Sequence, residues 1–142
     1  MSFPTLLTLL RSRSACLLAG QLDPVVASFV YPLPIFAASR WIVLGNADQA
    51  LSFCRHAHAV LCQRGVVALQ PKVTAVELPR GGRFRVWVDW YELALPATGT
   101  RLTSAIYYMR DGSAGPQVEM IAYQLSRQSD ICPQTEELAL SA

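Results

Sequence analysis

Residues 83–127 read RFRVWVDWYELALPATGTRLTSAIYYMRDGSAGPQVEMIAYQLSR, and three strand-like runs within them decide the fold. The runs are rich in Val, Ile, Tyr, Trp and Phe, which favour a pleated, half-buried surface. They cover residues 84–95, 101–110 and 117–126, separated by Gly- and Pro-containing turns at 96–100 and 111–116. Because short connections join antiparallel neighbours, the stretch predicts an antiparallel meander.

A capped helix and a further strand are predicted immediately before the meander. Asn46 is the predicted N-cap, Gln49 occupies the capping-box position, and Gly65 follows Arg64 as a left-handed stop. A strand over residues 66–78 comes next. We therefore expect an α+β fold, in which a bent four-stranded antiparallel meander wraps around one long helix.

The chain begins with a segment that has helical periodicity. The first helix is predicted over residues 5–20, with Thr5 as its N-cap and Gly20 at its end. Its leucines recur at near-helical spacing, so Arg11 and Arg13 are expected on the other side.

A short helix and a short hairpin are predicted between the two longer helices. Asp followed by Pro is a helix start signal, so a helix is predicted from Asp23 through Val30. It stops at Tyr31-Pro32-Leu33-Pro34, since two close prolines force extended backbone. Residues 33–36 and 41–44 then suit two short edge strands.

The totals for the chain limit the class of protein. Its 142 residues predict one domain over residues 1–127, followed by a tail at 128–142 that we expect to be flexible or to wrap a neighbour. A hydrophobic content of 52% with only 15% charged residues excludes disorder. The net charge is +2, and the arginines are scattered rather than clustered, so no nucleic-acid partner is predicted.

Neither a membrane span nor export is expected. No apolar run approaches the roughly 20 residues that a span requires. Arg11 and Arg13 follow the apolar start, whereas a signal peptide has its charge first. Four cysteines without a C-x-x-C pair favour reduced thiols and a cytoplasmic location. No cofactor and no metal site are predicted.

The order of elements resembles the nuclear transport factor 2-like superfamily, also called SnoaL-like or cystatin-like. The resemblance covers about residues 5–127 and is architectural. It rests on the first helix, Tyr31-Pro32-Leu33-Pro34, the helix ending Arg64-Gly65, and Trp90…Gly99…Tyr107-Tyr108…Asp111-Gly112. It implies a bent sheet around the long helix, a conical pocket and, often, a dimer. Members include ketosteroid isomerases, limonene-epoxide hydrolases, polyketide cyclases and proteins without known activity, so the fold does not select a function.

The second strand alternates between two faces, which predicts a pocket. Phe84, Val86, Val88, Trp90 and Glu92 form the more apolar face, expected toward the long helix. The assumed register places Trp90 near Ile106, Val88 near Tyr108 and Glu92 near Ser104, and a slip of one residue would reverse the face. The predicted ligand-binding residues are Tyr31, Trp90, Glu92 and Tyr108.

Glu92 is the one acid of the meander on this face, which makes it the candidate catalytic residue. Under aromatic rings the charged form is disfavoured, so a raised pKa is expected, as a general acid or base requires. A ketosteroid isomerase also uses a Tyr and a second, protonated acid, and no second inward acid is evident here. The alternative, which we favour, is that Glu92 lies near a strand end and reaches solvent.

Cys54, His58 and Cys62 lie at i, i+4 and i+8 of the long helix. Cys54 and Cys62 are separated by about 12 Å of helix rise, too far for one metal ion. His58 with either thiol would make a nucleophile–base pair. The favoured interpretation is that they are core residues with one hydrogen-bonded histidine.

The opposite face of the meander is also rich in aromatic residues. Trp87, Tyr91, Tyr107 and Met109 are predicted there, with Arg85 and Asp89 as charged rim residues. Such an apolar patch is uncommon on a monomer, so we expect a homodimer through this face.

Three classes of function stay open. The leading one is a domain that binds a small hydrophobic molecule, without an assignable activity. The others are an isomerase, cyclase or hydrolase that acts through a pocket acid, and a structural dimerisation module. An open cavity of a few hundred Å³ would argue for a ligand, and a filled one for the structural module.

Overall fold

A computed structural model describes residues 2–95 and 101–124 of the chain. The helices and strands follow in the order α1 (Phe3–Ala19), α2 (Asp23–Ala27), β1 (Leu33–Ala37), β2 (Arg40–Leu44), α3 (Ala47–Gln63), β3 (Val66–Val76), β4 (Arg83–Ala94), β5 (Arg101–Gly112) and β6 (Gly115–Gln124). The predicted turn at 96–100 and the predicted tail at 128–142 lie outside the described residues. No helix among the described residues is long and apolar enough to cross a membrane.

The strands form one six-stranded sheet in the order β2-β1-β6-β5-β4-β3. Strands β3 to β6 pair antiparallel with their chain neighbours, which confirms the predicted meander. The hairpin β1–β2 extends the same sheet, because β1 pairs with β6 in parallel through Ile35↔Ile121 and Phe36↔Ala122. The α+β class is confirmed, whereas the parallel pairing was not predicted, since it joins residues more than 80 positions apart.

Helix α3 begins and ends at the residues that the sequence predicts. The Asn46 side-chain oxygen accepts the N–H of Gln49 at 3.0 Å, and the Gln49 side chain accepts the N–H of Gly45 at 2.6 Å. Arg64 is the C-cap, and Gly65 follows with φ +68°. These caps satisfy backbone groups that the helix itself leaves unpaired.

The other helix boundaries differ slightly from the prediction. Ser2, not Thr5, is the N-cap of α1, since its hydroxyl accepts the N–H of Thr5 at 3.4 Å. Helix α2 ends at Ala27 rather than continuing to Val30. Val30 instead donates its N–H to the Val118 carbonyl at 2.8 Å, so the pairing with β6 stops the helix.

The predicted register between β4 and β5 is wrong. Trp90 pairs with Thr103, three residues from the expected Ile106, and Val88 pairs with Ala105. Because three is odd, every side chain of β5 changes face. Tyr107 and Met109 therefore point toward the helices, where Met109 is 1% exposed, and they do not belong to the predicted dimer face.

The core lies between the helices and one face of the sheet, which we call the inner face. Phe84, Val86 and Val88 of β4 are buried there, as predicted. They join a cluster with residues of all three helices, including Leu6 and Leu10 of α1, Val25 and Val26 of α2, and Ala50, Phe53 and Cys54 of α3. One region between sheet and helices is not filled by side chains, and it forms the candidate site.

Candidate functional site

A cavity of about 230 Å³ lies between the inner face and the three helices. Most of its wall is apolar, with side chains contributed by α1, α2, α3 and five strands. The apolar and aromatic side chains are Leu10, Leu17, Val25, Phe29, Ile35, Phe53, Ala57, Val60, Leu61, Leu69, Trp90, Val118 and Ile121. The polar and titratable side chains are Arg13, Ser14, Ser28, Cys54, Arg64, Glu92, Thr103, Tyr107 and Tyr123.

Glu92 lies in the cavity wall and pairs with Arg64 at the end of α3. The Oε1 of Glu92 is 3.2 Å from Nη1 of Arg64, and their side chains are 9% and 19% exposed. The two atoms are close enough for an ion pair, although they do not meet hydrogen-bond geometry. Burial raises the pKa of Glu92, and the charges of Arg64 and Arg101 oppose the rise without cancelling it. The favoured interpretation, in which Glu92 reaches solvent near a strand end, is wrong because the residue is buried. The direction of its pKa shift is the one expected for an acid in a pocket wall.

Trp90 and Tyr107 form a hydrogen-bonded aromatic pair in the same wall. The indole N–H of Trp90 donates to the Tyr107 hydroxyl oxygen at 2.8 Å. Burial raises the pKa of Tyr107 far above its ordinary value, with a further contribution from nearby Tyr123. Tyr107 consequently stays protonated and presents an O–H donor at neutral pH.

Arg13 enters the cavity from α1. Its Nη2 donates to the backbone carbonyl of Pro116 at 2.9 Å, which bridges α1 to the start of β6. Burial lowers the pKa of Arg13, and the phenol of Tyr107 partly offsets the shift. The sequence-based placement of Arg13 away from the apolar stripe of the helix is wrong.

Two of the four predicted ligand-binding residues lie outside the cavity wall. Tyr108 is on the outer face of the sheet, where it pairs with Arg85, because the register differs from the predicted one. Tyr31 packs edge-on against Phe29, and its hydroxyl donates to the Val26 carbonyl at 2.6 Å. Burial raises the pKa of Tyr31 to about 12, with a smaller effect of Cys54. Tyr31 therefore holds the end of α2 in place.

The side chains of the three residues spaced four apart on α3, Cys54, His58 and Cys62, do not meet at one point. Cys54 is buried in the core, and burial raises the pKa of its thiol to about 11. The Nδ1 of His58 is 2.9 Å from the Leu17 carbonyl, and Cys62 is exposed with Sγ 3.6 Å from Nε2 of His58. The favoured core interpretation therefore holds for Cys54 and is wrong for Cys62. Among residues 2–95 and 101–124, no three His, Cys, Asp or Glu side chains are placed to hold a metal ion.

Sequence reasoning missed the polar residues Arg13, Arg64, Thr103, Tyr107 and Tyr123. A signal for Arg13 was present, since Leu6, Leu10, Arg13 and Leu17 follow helical spacing on one stripe. Thr103 and Tyr107 share a face with Ala105, and only the register decides which face turns inward.

Solved structures with the same fold are similar to this chain over most of its length. An NTF2-like protein of unknown function from Shewanella oneidensis is 12% identical, with a TM-score of 0.68, over 87% of this chain and 98% of that one. A domain of unknown function with a cystatin-like fold from Nostoc punctiforme is 15% identical, with a TM-score of 0.67, over 97% of this chain and 94% of that one. An NTF2-like protein with a cystatin-like fold from Novosphingobium aromaticivorans is 11% identical, with a TM-score of 0.62, over 90% and 84%.

These similarities establish the fold and leave the activity open. The chain has the nuclear transport factor 2-like, cystatin-like architecture, as its element order indicated. No protein-family model and no curated protein matches the sequence. Because many functions share this fold, a function has to be argued from the cavity.

Proposed function

We propose that this NTF2-like domain binds a small, mainly apolar molecule in the cavity between sheet and helices. The observation that carries the proposal is the cavity itself, which is about 230 Å³ and lined mostly by apolar side chains. Apolar protein cavities of about 150 Å³ bind benzene, so this space suits a substituted single ring. An open cavity also argues against a purely structural module, whose interior would be filled.

The experiment for binding compares two alanines of α3. Ala57 lines the cavity and Ala59 is exposed. Ala57→Phe places a ring in the cavity, whereas Ala59→Phe adds the same ring outside it. We expect p-cymene, a neutral single-ring hydrocarbon, to shift NMR signals of cavity residues in the unmodified protein and in Ala59→Phe, but not in Ala57→Phe. No shifts in the unmodified protein, or equal shifts in all three, would refute cavity binding.

A second candidate is an enzyme that transfers a proton through Glu92. It is favoured by one observation, the raised pKa of a carboxyl in a cavity wall. The pair with Arg64 holds the carboxyl group in place, and the raised pKa makes the Glu92 carboxylate a stronger base than that of an exposed glutamate. Such a base would remove a proton from the carbon next to a ligand carbonyl and return it after rearrangement.

Deuterium exchange tests the enzymatic candidate without a known substrate. The probe is 4-isopropylacetophenone in D₂O, whose methyl protons next to the carbonyl exchange when a base removes them. We expect exchange faster than in buffer, and loss of that acceleration in Glu92→Gln while probe binding persists. Glu119→Gln, which removes a carboxyl on the outer side of the sheet, is the control. Exchange that is unchanged in Glu92→Gln removes Glu92 as the base.

For the compartment, we propose the cytoplasm. The thiols of Cys16, Cys54 and Cys62 form no disulfide with one another, which supports a reducing environment. A fluorescent fusion found outside the cytoplasm would contradict this assignment.

A further inference from the structure

We propose that the ligand of this cavity carries a carboxylate group, bound by the guanidinium of Arg13 and the hydroxyl of Tyr107. The inference rests on the proposed small-molecule binding and specifies its ligand class, a single-ring or similarly sized apolar acid. Its basis is a cation and a hydrogen-bond donor in the wall of a mainly apolar cavity.

Arg13 is a cation without a balancing carboxylate in the described part of the chain. No ion pair is formed by Arg13 there, and its one hydrogen bond is to the neutral carbonyl of Pro116. A charge removed from water without an opposite charge is unfavourable, and an anionic ligand would compensate it. The other arginine of the wall, Arg64, already faces the carboxylate of Glu92.

Tyr107 supplies a second donor in the same cavity wall. Its oxygen accepts the indole N–H of Trp90, and its own hydrogen is donated to no other described residue. Arg13 and Tyr107 are near enough that each affects the protonation of the other. A carboxylate has two oxygens and accepts from both donors at once, which a hydrocarbon cannot do.

The location of the two donors defines how the acid lies in the cavity. Arg13 comes from α1 and Tyr107 from β5, so the carboxylate would bridge a helix and the sheet. The apolar body would then lie among side chains such as Phe53, Val60 and Ile121. A positively charged ligand is disfavoured, because the described residues of the wall include Arg13 and Arg64 and one acid, Glu92.

The test uses three ligands with one apolar body: 4-isopropylbenzoate, 4-isopropylbenzamide and p-cymene. Calorimetric titration of the full chain should give the tightest binding for the carboxylate. Arg13→Gln should weaken the carboxylate on the order of 10- to 100-fold, the usual contribution of a charge-assisted hydrogen bond, and leave p-cymene within about twofold. Tyr107→Phe should weaken the carboxylate on the order of tenfold.

Arg11→Gln is the matched control, because Arg11 lies on the same helix, is exposed, and carries the same charge. It should leave all three affinities unchanged, which excludes an effect of net charge alone. Equal binding of carboxylate and p-cymene, or equal losses in Arg13→Gln and Arg11→Gln, would overturn the carboxylate subsite while small-molecule binding stands. If p-cymene and both polar analogues fail to bind the unmodified protein, the proposed function fails as well.

Discussion

Glu92 illustrates how a residue acquires its properties from the groups around it. Leu69, Trp90 and Thr103 lie beside it in the wall, and these neighbours offer little to replace the water that a carboxylate loses. Arg64 at 3.2 Å compensates part of that loss, yet the pKa of Glu92 remains raised because burial has the larger effect. The structure thus keeps Glu92 closer to its neutral form than an exposed glutamate.

This balance predicts the pH dependence of stability. An unfolded glutamate has a pKa of about 4.3, and the folded value is higher, so the folded state binds the proton more tightly. The stabilisation by protonated Glu92 is therefore full below the unfolded pKa and is lost as the pH rises through the folded pKa. We therefore expect the free energy of unfolding, measured with denaturant, to fall in the unmodified protein relative to Glu92→Gln as the pH rises from the unfolded pKa through the folded pKa.

Two arginines face Glu92, and they provide the check on this prediction. Arg64 and Arg101 both lower its pKa. Arg64→Gln should therefore raise the Glu92 pKa further, which carboxyl NMR titration would detect directly. A Glu92 pKa below that of an unfolded glutamate, or one insensitive to Arg64→Gln, would contradict the electrostatics described here.

At the same scale, alternation predicted Trp90 and Glu92 on the inner face, since a strand has a strict period of two. Tyr108 was predicted on the wrong face, because knowing which face of β4 turns inward does not determine which residues of β5 lie on that face. The register of β4 with β5 depends on their turn, and a shift of three residues exchanged Tyr107 with Tyr108. The local sequence does not determine this register. The inward position of Arg13, in contrast, was indicated by its helical spacing from Leu6, Leu10 and Leu17.

Among the elements, α3 was the best predicted because local side chains define both of its ends. Asn46→Ala removes the oxygen that accepts the Gln49 N–H at 3.0 Å. We expect a loss of about 1 kcal/mol in the free energy of unfolding, measured in urea. Ser2→Ala, which removes a longer 3.4 Å contact at the exposed start of α1, should cost less than half as much. Equal losses would mean that the caps do not differ as their geometry indicates.

The end of α3 gives a second element-scale prediction. Gly65 has φ +68°, and a Cβ there would lie 2.6 Å from the Leu95 carbonyl oxygen. Gly81 has φ +58° and open space around the same position. Gly81→Ala should therefore cost about 1–2 kcal/mol from backbone strain alone, and Gly65→Ala about 3 kcal/mol or more. Thermal unfolding of the two variants separates the cost of a positive φ, which both share, from the cost of the close contact with Leu95, which only Gly65→Ala has. Similar losses of stability in the two variants would exclude a cost from that contact.

At the scale of the whole molecule, the four-stranded meander was predictable because its strands follow one another with short turns. The joining of β1 to β6 was not, since parallel pairing of distant segments leaves no local pattern. The cavity was expected on the inner face, although of its polar side chains only Glu92 was predicted to bind a ligand, because α1, α3, β4 and β5 each contribute to the wall. A site built from distant elements is visible only after they are packed together.

The assembly remains a prediction, with a corrected set of residues. The outer face of the sheet carries Trp87 and Tyr91 of β4, as expected, together with Ile106 and Tyr108 of β5 in place of Tyr107 and Met109. All four side chains are half-buried in the isolated chain. Burying such side chains further contributes favourably, at about 25 cal/mol per Å² of apolar surface. We propose that a second copy covers this face in a two-fold dimer.

The charged side chains Arg85 and Asp89 on this face already have polar partners within the chain, which favours a second copy over a charged partner. Arg85 pairs with Glu77 at 2.8 Å and lies 5.0 Å over the Trp87 ring, and Asp89 accepts a hydrogen bond from Ser104 at 2.7 Å.

Light scattering at micromolar concentration should give about twice the 15.6 kDa mass of the chain. Ile106→Arg should return the mass to that of one chain, because it places a charge at the centre of the apolar patch. Leu78→Arg, at a residue 88% exposed and outside this face, should remain dimeric. A single-chain mass for the unmodified protein, or dissociation in both variants, would contradict a dimer through the outer face.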